Sequence, residues 1–452
     1  MRILIIYPTI GNKIAFNHGV GSISAILKEG GHKIKLLIPQ TKNYKEIRGE
    51  LKKYKPELIL LSFCSNYWGY VKYISKMIKK ELNIPIFAGG PHTTLFPDSI
   101  RQTKYIDGVC IGEGERAIKE LIEKIRKKED FFKTKNFWFR NGNEIIKNEL
   151  RPLIENLDNL PLPDRSIFSK KIILNYPNFN FSRGCPYSCT YCCNNKLNEL
   201  YKGKIKIIRF KSVKKSLEEV EQVIIKYNPP EIFFDDDSFT KDSVWLFEFC
   251  KQYKKKFSIP FSCNTRPELF NDEVARILKD AGCKRISIGV ESGDEEFRKK
   301  YLGRFMPNKM IIKAFKIAKR YNIMTVSFNM VGMPFEKEEN FKKTIELNKI
   351  LQPSEMQLSI YYPYAGTNLG DLCFKSGFVT RRKSNNFMYD SILKLPNFHR
   401  KKIIKYAKTF HYLVYKDKDM KKALYFLIRK YLLFSVFYRY YNLIMNKIRL
   451  KY

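Results

Sequence analysis

The chain reads as an α/β protein: an N-terminal doubly wound, Rossmann-like sheet, then an open, TIM-like (β/α)6 partial barrel, then a helical C-terminal region. Three observations in its 452 residues predict this. Short apolar runs alternate with helix-period segments along two separate stretches, as βαβ units require. A proline-rich break, Leu160-Pro-Leu-Pro-Asp164, stands between the stretches and cannot form a regular element. The final stretch loses the alternation and turns strongly basic. The expected layout is a first domain at 1–150, a linker at 151–174, a barrel at 175–375 and a basic helical region at 376–452.

In the first domain the expected strands are 3–7, 35–38, 58–62, 84–88 and 108–111, with helices expected at 23–29 and 68–80. Two of these strands run into glycine-rich turns, Gly89-Gly90-Pro91-His92 and Gly112-Glu113-Gly114-Glu115. Doubly wound sheets bind ligands at the carboxyl ends of their strands, and glycine lets the backbone approach a ligand closely. Taken singly, such turns are equally compatible with plain chain reversal.

The second stretch yields six βα-type units, which suits a partial barrel with its chemistry at the strand C-termini. Its entry segment is Phe181-Ser-Arg-Gly-Cys-Pro-Tyr-Ser-Cys-Thr-Tyr-Cys-Cys-Asn194. The spacing CxxxCxxC puts Cys185, Cys189 and Cys192 on one loop. Three thiolates can hold three irons of a 4Fe–4S cluster and leave the fourth iron open to a substrate. The competing reading is half of a zinc site, which needs four ligands; no second CxxC follows and only five histidines exist. A disulfide framework is not expected, because the opening Met1–Tyr7 reads as a strand and not as a signal peptide.

No apolar run of about 18 residues occurs, so no membrane span is expected. The formal charge is +39, from 84 Lys and Arg against 45 Asp and Glu. That balance suits nucleic acid, an acidic substrate or an anionic membrane. The lysines, however, are spread throughout a chain rich in Lys, Ile, Asn and Tyr, so a solvated surface accounts for most of them and a nucleic-acid substrate is not expected.

The cysteine loop, with aromatic Tyr191 before the third cysteine, resembles that of the radical S-adenosylmethionine superfamily. The lead-in Ser182-Arg183-Gly184-Cys185-Pro186 resembles the subgroup with an N-terminal cobalamin-binding domain. So do Tyr7-Pro8, His18-Gly19-Val20-Gly21-Ser22, Gly89 to Thr93 and Gly112 to Glu115. The resemblance implies three cofactors: a 4Fe–4S cluster on Cys185, Cys189 and Cys192, S-adenosylmethionine, and cobalamin. It implies adenosylmethionine contacts from Tyr191, Asp236, Asp237, Glu291, Ser292, Arg304 and Gly332, and cobalamin contacts from Gly89, Gly90, His92, Gly112 and Glu113. Cys193 would not be a ligand and would point away. Relatives that ligate cobalt from below use Asp-x-His-x-x-Gly, but Phe16 stands where the Asp would be, so His18 is expected to start a helix near the ligand without binding cobalt.

The implied reaction is reductive cleavage of adenosylmethionine to a 5′-deoxyadenosyl radical, fed by an electron donor of the flavodoxin or ferredoxin kind. Methylation or rearrangement of an unactivated carbon of a small-molecule or lipid-like substrate would follow. The rivals are a radical enzyme without cobalamin, an RNA-modifying methylthiotransferase-like enzyme and a non-enzymatic redox protein. The tail carries 19 Lys and Arg against 3 Asp and Glu, with aromatics interleaved. It is expected to cap the barrel; the alternative is contact with anionic lipid, as basic amphipathic helices make. The expected location is the cytoplasm, with the inner membrane face as the place that contact would give.

Overall fold

The structure is a computed structural model and describes residues 1–10, 14–202, 208–380 and 390–434, with side chains as far as 428. The chain divides into two compact units: 1–264 with 280–284 and 364–371, and the remainder.

The first unit opens with a seven-stranded sheet. Its strands are β1 (Arg2–Ile6), β2 (Lys33–Leu37), β3 (Leu58–Ser62), β4 (Ile86–Gly89), β5 (Gly108–Cys110), β6 (Phe137–Asn141) and β7 (Glu144–Lys147), in the order β2-β1-β3-β4-β5-β6-β7. The first five pair in parallel. The central strands are nearly continuous apolar runs because helices cover both faces; Ile3, Leu4, Ile6, Leu58, Ile59 and Ile86 are fully buried. The sequence did not lead us to expect β6 and β7, an antiparallel hairpin that closes the edge. Its two-residue connection begins at Gly142, whose φ of 59° suits the tight turn. Helices His18–Glu29 and Tyr44–Tyr54 also exceed expectation, the first beginning earlier than its apolar periodicity indicates and the second unforeseen. Asn17 caps the first by accepting from the Val20 N–H at 2.8 Å.

The same unit holds the first half of the barrel strands. β8 (Asn178–Phe179), β11 (Ile232–Phe234) and β12 (Phe261–Thr265) are parallel, with β11 in the middle. A short antiparallel ribbon, β9 (Ser182–Arg183) with β10 (Arg209–Phe210), brackets the cysteine loop. Packing beneath it is aromatic: Phe181, Phe234, Phe239 and Phe249 are buried, with the Phe234 and Phe239 rings stacked 4.7 Å apart.

The second unit holds the other barrel strands, parallel in the order β13 (Cys283–Glu291), β14 (Met324–Val331) and β15 (Glu355–Ile360). Helix Arg400–Tyr415 packs on β15 and on helix Glu338–Leu351. Tyr406 Oη donates to Glu338 at 2.7 Å, and the His411 ring lies 2.8 Å from the Met356 carbonyl. The tail thus caps its own barrel strands. Helix Met420–Phe434 packs on Arg400–Tyr415 and exposes Met420, Leu424 and Ile428, spaced four residues apart. The rest of the basic tail, with Arg439, lies outside the described residues, as do the side chains of Arg429 and Lys430. No helix among the described residues is long and apolar enough to cross a membrane.

Candidate functional site: a cavity joined to the cysteine loop

Within the first unit a cavity of about 470 Å³ opens at the carboxyl ends of β1, β3, β4 and β5. Its wall includes the turn residues Gly89, Gly90, Gly112 and Glu113. It also includes Ser182, Arg183, Gly184 and Cys193 of the cysteine segment, and Asp237 after β11. The two glycine turns are therefore gathered on one surface, as ligand binding at strand ends requires. Gly90 has φ 95°, and a Cβ there would press on the Phe63 backbone. Gly112 has φ 77°, and a Cβ there would collide with the Tyr201 hydroxyl.

The junction between the glycine turn and the cysteine segment is ionic. Arg183 Nη1 lies 2.8 Å from Glu113 Oε1, and Arg183 Nη2 lies 2.5 Å from Glu115 Oε1. Arg209 Nη1 adds a contact of 2.9 Å to Glu113, whose second oxygen accepts the Ile154 N–H at 2.7 Å. Burial raises the Glu115 carboxyl, but Arg183 outweighs it and the group is held below its usual range. Burial also opposes the Arg183 charge, and Glu115 with Glu113 holds it well above its ordinary value. Glu113 is thus consumed by two guanidiniums and a backbone amide. Its place is to anchor the wall, a role the sequence did not separate from ligand binding.

Other expected residues fall differently. His92 is 3% exposed and does not reach the cavity; its ring stacks on Trp68 at 4.9 Å and its Nδ1 lies 2.9 Å from Ser65 Oγ. Burial pushes its pKa down to about 4. Asp236 is fully buried and faces its own scaffold, accepting the Phe181 N–H at 3.1 Å and the Ser182 N–H at 2.7 Å. Asp237 is exposed at the cavity wall, where it accepts from Asn194 Nδ2 at 2.8 Å. Asp235, which the sequence reading passed over, lies between Asn178 and Asn264, and burial pushes its pKa up to about 6.

The cysteine loop is held by its own backbone: the Cys192 N–H donates to the Cys189 carbonyl at 3.1 Å, and Asn198 Nδ2 to the Cys185 carbonyl at 2.9 Å. Burial raises the Cys185 thiol, and a hydrogen bond shared with Cys193 raises that of Cys192. No group of three or more His, Cys, Asp or Glu among the described residues is gathered tightly enough for a single metal ion. Three thiols spread along one loop suit a cluster, which presents separate irons to separate ligands. Cys193, expected to be no ligand, lines the cavity and its thiol shares a hydrogen bond with that of Cys192. Tyr191, next to the third cysteine, is half-buried.

His18 heads its helix and lines the cavity, as expected for a helix-start residue. Phe16 takes the place of the absent carboxylate, its ring edge-on to His18 at 4.9 Å and capped by the Arg165 guanidinium at 4.0 Å. Among the described residues neither His18 ring nitrogen has a hydrogen-bond partner, and burial pushes its pKa down to about 3, so the imidazole is neutral.

In the second unit Glu291 ends β13 at a bulge with φ 65°, a conformation that non-glycine residues rarely hold without cause. Arg304 lies beside it, 3.5 Å from Glu291 Oε1 and 2.6 Å from the Gly289 carbonyl. Ser292 is fully buried and its hydroxyl accepts the Asp294 N–H at 3.3 Å, so it shapes the turn and does not present a free hydroxyl. The Gly332 N–H, at φ 79°, donates to Glu336 at 2.6 Å.

The B12 binding domain matches residues 12–122 and the radical SAM superfamily matches residues 179–347. The chain is 25% identical to an uncharacterised methyltransferase of Pyrococcus horikoshii over 399 residues, covering 86% of this chain and 85% of that one. It is 23% identical to the hopanoid C-3 methylase of Methylococcus capsulatus over 365 residues, covering 77% and 67%. Among solved structures it is similar in fold to the radical S-adenosylmethionine methyltransferase TsrM from Kitasatospora setae with cobalamin and 4Fe–4S cluster bound. The TM-score is 0.68 at 14% identity, over 89% of this chain and 84% of that one.

Proposed function

Because the chain belongs to the radical S-adenosylmethionine enzymes that carry a B12-binding domain, we propose that it methylates an unactivated carbon of a small-molecule or lipid-like substrate. Its cofactors are a 4Fe–4S cluster, S-adenosylmethionine and cobalamin. When bound, they supply an electron, a 5′-deoxyadenosyl radical and a transferable methyl group. The observation that carries the reading is the shared cavity: one wall comes from the glycine turns of the B12-binding domain, another from the segment that leads into the cysteine loop.

In this reading Cys185, Cys189 and Cys192 hold the cluster and leave one iron open. Tyr191 and Asp237 contact adenosylmethionine, and Gly89, Gly90 and Gly112 line the cavity that takes the corrin. His92, Asp236, Glu113 and Ser292 shape the turns around these groups. The electron donor is a flavodoxin or ferredoxin. Lys421 and Lys422 beside the exposed Met420, Leu424 and Ile428 supply the chemistry for peripheral contact with anionic lipid, which would bring a lipid-like substrate to the enzyme.

The test is anaerobic reconstitution followed by iron and corrinoid analysis and by product analysis with adenosylmethionine and reductant. The reading expects about four irons per chain, a bound corrinoid spectrum, and both S-adenosylhomocysteine and 5′-deoxyadenosine among the products. Iron without corrinoid favours the cobalamin-free rival, and about eight irons favours a methylthiotransferase. Deoxyadenosine without S-adenosylhomocysteine favours a rearrangement or cyclisation. One relative at 23% identity is an anaerobic magnesium-protoporphyrin IX monomethyl ester cyclase from Rubrivivax gelatinosus.

A further inference from the structure

Three consecutive residues lead into the first cysteine, and each is held by a different group. Ser182 is held by the buried Asp236, which accepts from its N–H at 2.7 Å and also from its hydroxyl. Arg183 turns away to Glu113 and Glu115. Gly184, at φ 85°, offers its carbonyl to Lys241. The Lys241 Nζ donates to that carbonyl at 2.8 Å and to the Ser182 hydroxyl at 2.8 Å.

Lys241 stands in the connection after β11, one residue before Asp242. Asp242 caps helix Ser243–Lys256 by accepting the Trp245 N–H at 3.0 Å. A cation at the start of a helix opposes the helix dipole, so the lysine's charge does not serve that helix. Among the described residues its ammonium makes no direct ion pair; Asp236 meets it through the Ser182 hydroxyl. The side chain is half-buried, with Nζ 5.2 Å from the Phe210 ring centroid.

What the charge does face is the cysteine loop. The Gly184 carbonyl belongs to the peptide that continues into Cys185. Bond lengths along that path keep the Lys241 Nζ within about 10 Å of the Cys185 sulfur. That is about one Debye length at 0.1 M salt, and a half-buried charge is screened less than an exposed one. At an effective dielectric of about 20, a cation at this range favours a centre that gains an electron by on the order of ten-fold. Partial exposure of the lysine reduces the effect.

We propose that Lys241 is a positioning residue for the cluster: it fixes the Gly184–Cys185 peptide, and its charge favours the reduced state. The assignment rests on the reading above that Cys185, Cys189 and Cys192 hold a 4Fe–4S cluster. In the step it assists, one electron passes from the donor protein to the cluster. No bond forms or breaks, and Lys241 keeps its proton throughout.

The experiment compares wild type, Lys241→Met and Lys241→Arg, each reconstituted anaerobically with iron and sulfide. Iron per chain is measured. The midpoint potential of the cluster is read by electron paramagnetic resonance during a redox titration, without adenosylmethionine. The expected result is equal iron in all three, with the ratio of reduced to oxidised cluster at a fixed poise about five-fold lower in Lys241→Met. That is a shift of about 40 mV to more negative potential. Lys241→Arg keeps the charge and should stay at the wild-type value. A wild-type potential in fully loaded Lys241→Met overturns the proposal. So does an equal negative shift in Lys241→Arg, which would make the shift a matter of packing and not of charge. Should Lys241→Met lose iron, Lys241→Gln is read in its place, because its amide can still donate to the Gly184 carbonyl. A negative shift in that variant supports the proposal, and an unchanged potential overturns it. Wild type that takes up no iron overturns the cluster reading itself, and this assignment with it.

Discussion

Arg183, two residues before the first cysteine of the cysteine loop, bridges Glu113 and Glu115 of a glycine turn some 70 residues earlier. Two parts of the chain with separate sequence signatures are joined by a single guanidinium. Arg183→Ala leaves Glu115, 3% exposed, with a buried uncompensated charge. We expect a loss of ~3 kcal/mol in unfolding free energy, measured by denaturant titration. Arg183→Lys should recover only part, because an ammonium lacks the fork that meets two carboxylates.

Substituting any of Cys185, Cys189 or Cys192 by Ala should abolish the visible iron–sulfur absorbance after reconstitution. Cys193→Ser should retain it. Iron analysis of the four variants distinguishes the three proposed ligands from the neighbouring thiol; equal iron in all four would remove the ligand assignment.

Glu336 gives a pH signature. Burial raises its carboxyl from the ordinary 4.5 to about 8, against hydrogen bonds from the Met333 and Gly332 amides. Between those values the folded chain retains a proton that the unfolded chain releases. The stability contributed by this group is therefore present at low pH and declines as pH rises towards 8, by at most roughly 1.4 kcal/mol per pH unit. Unfolding midpoints measured from pH 5 to 8 should show a shallower decline for Glu336→Gln than for wild type.

Gly112→Ala tests the cavity wall. The new methyl group meets the Tyr201 hydroxyl and must also hold φ 77°. We expect the corrinoid dissociation constant to rise at least ten-fold, with the iron content unchanged. Unaltered corrinoid binding would show that Gly112 has no part in the wall that the ligand meets.

Anionic vesicles should co-sediment the protein and neutral ones should not. Leu424→Glu with Ile428→Glu should end that binding, since both side chains are exposed on the helix that carries Lys421 and Lys422. Equal sedimentation with either vesicle type, or none, would remove the membrane contact.

The sequence announced the strands because burial on both faces writes long apolar runs such as Leu58 to Leu61. It announced the turns because glycine is the residue that positive φ demands, as at Gly90 and Gly112. The β6–β7 hairpin is also legible, through the Gly142-Asn143 pair that makes its turn. Side-chain direction was not legible. Nothing in the order of residues says that His92 stacks on Trp68 or that Asp236 turns back on the Ser182 amide. The ion cluster was hidden for a further reason: Arg183 and Arg209 stand 70 and 96 residues from Glu113, a separation no local pattern encodes.

Helix Cys193–Leu200 begins directly after the third cysteine and ends at Tyr201. At roughly 1.5 Å of rise and 100° of turn per residue, its length and its angular phase are fixed together. Side chains along it can be exchanged with local cost. A single inserted or deleted residue would swing the Tyr201 ring about 100° away from Gly112 and move it along the axis at the same time. The span between the two cofactor sites should thus tolerate changes of composition while forbidding changes of count, as a key tolerates wear on its bow but no shift of its teeth.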